Sequence, residues 1–201
     1  MKHLHRTLLF ALAVISTAFS ASAQDWTATE VTKPYVIAGS TGIELYQSIG
    51  ERGPATSNGS RAIAHTTWDL KWRRNYQPQP DGSCKLVSAK PFVTITYTLP
   101  RAPAKLSGAA AGHWNTFING ITAHEKEHGR MIRDMVGEVI ATTVGLTVAG
   151  DGKCQKIRKQ IETPLIAARD AYRARSRAFD KVEMSEGGNV HRLILGLVNG
   201  Q

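Results

Sequence analysis

Residues 117–140 read FINGITAHEKEHGRMIRDMVGEVI. At about 100° per residue, Trp114, Phe117, Ile118, Ile121, Ile132, Met135, Val136 and Val139 gather on one side of a helical wheel. Asn119, Lys126, Glu127, Arg130, Arg133 and Asp134 gather on the other. The stretch therefore predicts one long amphipathic helix over about 113–143, with an apolar face to bury. His124, Glu125 and His128 fall on that apolar face and point inward.

Two imidazoles and a carboxylate on a packing face need partners, because an unpaired charge out of water is strongly disfavoured. A divalent cation would supply one for all three. Histidines at i and i+4 lie one above the other on a helix, so His124 and His128 can reach a single ion. Glu125 need not bind the ion and can instead take a proton from an activated water. The segment is a His-Glu-x-x-His motif with every required residue present.

Working outward, the upstream half alternates. Trp68, Leu70 and Trp72 interleave with Asp69, Lys71 and Arg73, and Val93, Ile95, Tyr97 and Leu99 interleave with Thr94, Thr96 and Thr98. Each is the period of a half-buried strand. The turn chemistry of YQPQPDGSC at 76–84 joins them as a long hairpin, and 30–39 offers an earlier strand. IELYQSIGERG predicts a short helix closed by Gly53 and Pro54. Downstream, a second helix is expected over about 155–182, bent at Pro164, followed by a turn and a last short element. Strands first and helices after give an α+β class: an antiparallel sheet packed with two long helices, one bearing a zincin-like active site.

The ends and composition set the compartment. Lys2 and Arg6, the apolar run LLFALAVISTAF and Ala21-Ser22-Ala23 have the pattern of a cleaved export signal over 1–23, leaving one domain over 24–201. Cys84 and Cys154 are the only cysteines, and in an oxidising compartment they read as one disulfide. The expected location is periplasmic or secreted. Removing 1–23 lowers the formal net charge from +9 to +7, which favours an anionic envelope surface and identifies no specific nucleic acid. With 42% hydrophobic and 20% charged residues, the chain is not disordered in bulk.

A third protein ligand would leave one position open for water. Asp134, in the register of an extended motif, stays on the outward face because no glycine breaks the helix at Met131. Asp180 and Glu183 share one face of the second long helix. Glu183 is the preferred ligand and Asp180 a second-shell partner or alternative; Glu186 is a further alternative and Glu162 is less favoured. His65, His191, Tyr97 and Tyr172 are secondary candidates for ligand, substrate contact or oxyanion support. Arg169, Arg173, Arg175 and Arg177 read as a solvated basic face.

With TTWDLKW in a strand, a cysteine before VTITYTLP, HEKEHG, a second cysteine after that helix and a late Phe-Asp, the chain resembles the bacterial predicted secreted zinc-dependent proteases, domain-of-unknown-function family 922. The resemblance implies one Zn2+ held by His124 and His128, Glu125 as base, and peptidase activity on a protein or peptide. Where the family pattern has Tyr-Asp followed by His-Gly, this chain has Phe179-Asp180, Glu183 and Glu186-Gly187, which leaves the third ligand open. The rival from another class is a non-catalytic envelope-binding module that retains a metal-binding helix.

Overall fold

The computed structural model describes residues 26–57 and 59–200. The export segment read at 1–23 lies outside the described residues. The order of elements is β1 (Ala28–Val36), α1 (Gly42–Arg52), β2 (His65–Pro78), β3 (Cys84–Arg101), α2 (Gly108–Thr143), β4 (Thr147–Val148), α3 (Lys156–Gln160), α4 (Glu162–Met184) and α5 (Asn189–Asn199).

β3 is the spine of the sheet. β2 pairs with it antiparallel along its length, β4 joins its first residues, and β1 lies along its other side. The hairpin register sets Trp68 opposite Ile95 and Leu70 opposite Val93, so the alternating apolar residues of both strands share the face that α2 covers. Between Asn75 and Tyr76 the register shifts. That bulge moves the alternation of β3 by one residue. Cys84 and Leu86 consequently enter a second small core with Ile157 and Ile161, separate from the main one.

The α+β expectation holds, with a correction to the sheet. β1 runs parallel to β3, from Ala28 beside Val93 to Val36 beside Arg101. Period-two alternation is identical in both strand directions, so the sequence pattern carried no sign of it. From β1 the chain crosses to β2 on the other side of β3 through α1, whose start is fixed by a capping box between Thr41 and Glu44.

The second long helix is also divided differently. It breaks at Ile161 into α3 and α4, three residues before Pro164 rather than at it. Proline removes the donor that would bond the carbonyl four residues back and clashes with that carbonyl, so the disruption falls one turn upstream.

α2 is 36 residues long and buries Trp114, Phe117, Ile121, Ile132, Met135, Val136 and Val139 against the sheet and neighbouring helices. Glu30 of β1 pairs with both Lys126 and Arg133, tying the helix to the sheet edge. α4 packs along α2, and α5 closes the other side against α1 and α2. No helix among the described residues is long and apolar enough to cross a membrane. Cys84 and Cys154 form the disulfide, across a separation of 70 residues.

Candidate metal centre

The inward face of α2 carries His124, Glu125 and His128, which are 9%, 6% and 8% exposed. One helical turn apart, the two imidazoles bring their Nε2 atoms to 3.2 Å. α4 supplies the third group. Asp180 Oδ1 lies 3.3 Å from His124 Nε2 and 2.9 Å from His128 Nε2.

The spacing can be tested against a cation. Four-coordinate zinc with N and O ligands at 2.0–2.1 Å separates neighbouring ligand atoms by about 3.3 Å. The three observed separations, 3.2, 3.3 and 2.9 Å, have that scale. His124, His128 and Asp180 therefore form a group that could hold a metal ion.

Its electrostatics point the same way. Burial pushes the Asp180 carboxyl up, but hydrogen bonds with His124 and His128 outweigh it and hold the group well below the usual carboxylate range. For His124, burial pushes the imidazole down. The Asp180 hydrogen bond and the charge of Glu125 overcome that, and the net shift is upward. The field that favours a proton on His124 also favours a metal cation at the same focus.

The surroundings fix the rings. Phe179, the residue before Asp180, stacks on His124 at 4.8 Å between ring centres and meets His128 edge-on at 5.4 Å. Ser176 Oγ sits 3.1 Å from His128 Nδ1 and accepts a hydrogen bond from Nδ1–H in the tautomer that leaves the Nε2 lone pair free. Thr66 of β2 donates its hydroxyl to Glu125 Oε2 at 2.5 Å. That bond orients the carboxylate and joins the start of β2 to the middle of α2.

Glu183, the acid preferred from sequence, does not join the ligand group. Its Oε2 lies 3.6 Å from Nδ1 of His124, beyond hydrogen-bond length and on the opposite side of the ring from Asp180. The two acids exchange their expected parts: Asp180 faces the shared focus and Glu183 stands behind His124. The physical reason is reach, since the side chains leave one face of α4 about 4.5 Å apart along its axis.

Other candidates separate by position. Glu186 is exposed and outside the group. Glu162 lines a different groove, with Trp68 and Met135. Asp134 pairs with Arg130 at 2.6 Å on the exposed side of α2. His191 accepts the Gly187 N–H at the turn between α4 and α5. Tyr97 is in the core; His65 and the partly core-packed Tyr172 line the cleft beside His124, His128 and Asp180.

That cleft has a volume of about 710 Å³ and runs between the start of β2 and the cleft-facing side of α4. The positioning parts of Thr66, Ser176 and Phe179 were not anticipated. Thr66 shares the inward phase of Trp68, and Ser176 lies one turn from Asp180, so the periodicities did hold a signal.

Compared with known families, residues 32–188 match the family described as bacterial protein of unknown function (DUF922). No curated protein and no solved structure matches the chain. The matched span includes both cysteines, the α2 motif and the two acids of α4.

Proposed function

The chain belongs to the DUF922 family of bacterial proteins, and on that premise we propose that it is an exported zinc-dependent peptidase. The observation that carries this reading is the convergence of His124 Nε2, His128 Nε2 and Asp180 Oδ1 beside the buried carboxylate of Glu125, at the wall of an open cleft. The disulfide and the signal-like residues 1–23 support the exported location.

Zinc, when bound there, supplies a Lewis acid for a carbonyl oxygen and lowers the pKa of a water. His124, His128 and Asp180 are the residues that would hold it. Glu125 accepts a proton from the attacking water and delivers it to the departing amine nitrogen. Thr66 keeps that carboxylate aimed by occupying Oε2. Ser176 and Glu183 stand behind the outer nitrogens of the imidazoles, favouring the tautomer whose Nε2 lone pair faces the focus. Phe179 covers the rings and restricts their rotation.

The test is a comparison of the mature protein with Glu125→Gln. The wild type is expected to carry about one zinc per chain and to cleave casein in a chelator-sensitive manner. The variant should keep its zinc and lose about 100-fold or more in hydrolysis. Retained activity in the variant removes Glu125 from the chemistry, and a protein that takes up no zinc removes the metal centre.

A further inference from the structure

α4 carries four arginines, and they divide into two kinds. Arg169 meets Asp170 at 3.1 Å, and Arg175 meets Glu138 of α2 at 3.9 Å; neither lines the cleft. Arg173 and Arg177 do line it. Among the described residues, neither has a carboxylate within 4.0 Å. The acids of the cleft wall are already engaged, Glu125 by Thr66 and Asp180 by the two histidines. What sets Arg173 and Arg177 apart is their place on the cleft wall, beside the residues of the candidate site.

We infer that Arg173 and Arg177 select substrates bearing a carboxylate close to the bond that is cleaved. The inference rests on the peptidase reading of the same cleft and adds the substrate class. Two guanidinium groups at i and i+4 project from one side of α4, and each offers a planar fork of donors matched to a carboxylate. Arg177 precedes Asp180 by three residues and Arg173 by seven, or about 4.5 and 10.5 Å along the helix. An extended peptide advances about 3.4 Å per residue, so the anion falls about one to three residues from the scissile bond. An acidic side chain or the free end of a chain would provide it.

The experiment uses end-blocked peptides that differ only by Glu or Gln at each of three positions on either side of a cleavable bond, together with free and amidated C-termini. Binding is measured to the zinc-loaded Glu125→Gln protein and cleavage with the wild type. At low salt the best Glu peptide should bind about five- to tenfold more tightly than its Gln counterpart, and about 0.5 M salt should shrink that ratio. Arg173→Gln/Arg177→Gln should bring the ratio close to one while melting temperature and zinc content stay in place. Arg173→Lys/Arg177→Lys should keep part of it. Discrimination confined to the free C-terminus assigns the subsite to a chain end; discrimination inside blocked peptides assigns it to acidic side chains. Equal binding of every pair, or a ratio that survives loss of both arginines, overturns the inference. If wild type cleaves Glu and Gln peptides equally and binding is also equal, carboxylate selection falls and the peptidase reading stands. If nothing is cleaved but binding still discriminates through the two arginines, the peptidase reading falls and the anion subsite stands.

Discussion

Asp180 and Glu183 are three residues apart on α4, yet they reach opposite nitrogens of one imidazole. This difference assigns them different consequences. Removing a ligand empties a coordination position, whereas removing a partner behind a ligand costs about 10–100-fold in metal affinity. Glu183→Gln is therefore expected to stay within that range and Asp180→Ala to exceed it, with competition against a fluorescent chelator as the measurement. The opposite order would return the ligand role to Glu183. At this scale the inward placement of His124, Glu125 and His128 was legible, because a 3.6-residue period tells which side of a helix faces the core. The choice between two acids on one face was not, since both satisfy the same period.

Within α2 the glycine that follows the motif has a packing reason. A Cβ built at Gly129 would lie 2.0 Å from the Tyr97 hydroxyl of β3, and Tyr97 is itself 1% exposed. Helix and sheet meet closely there, and the buried, rigid Tyr97 ring leaves no space for a methyl group. Gly129→Ala would gain about 1 kcal/mol in helix propensity. It should nevertheless destabilise the protein by about 1–3 kcal/mol through overpacking, read as a lower urea midpoint. Tyr97→Phe in the same chain should restore part of the loss, because it removes the nearest atom and leaves the ring carbon at 2.9 Å. A neutral Gly129→Ala would show that the two elements can separate freely. The extent and inward face of α2 and the pairing of β2 with β3 follow from hydrophobic period and turn residues. The parallel course of β1 and the break at Ile161 do not, because strand direction and the exact point where a helix yields depend on partners outside each segment.

Across the molecule, the disulfide links the start of β3 to the loop that leads into α3. It spans 70 residues, and both cysteines are buried with Leu86, Ile157 and Ile161. In the chain-entropy model a closed loop of that length contributes about 4 kcal/mol. Cys154→Ser, or reduction, should lower unfolding free energy by that order in urea titrations. Zinc affinity should change little, since His124 and His128 lie in α2 and Asp180 lies toward the end of α4 remote from α3. A large loss of zinc with the fold retained would instead couple the second core to the metal centre. The even cysteine count pointed to this bond. The bulge that carries Cys84 into the smaller core is a property of the folded sheet.

The chain alone determined the α+β class, the buried face of α2, the hairpin and the partner of each cysteine, because each is written in a local period or in a count. Tertiary structure decided that Asp180 rather than Glu183 meets both imidazoles, that Thr66 and Ser176 orient their neighbours, and that Arg173 and Arg177 line the cleft with no carboxylate within 4.0 Å among the described residues. These depend on separations of a few tenths of an ångström to a few ångströms between remote segments. A repeat along one segment specifies the direction of a side chain, but not the distance to an atom on another.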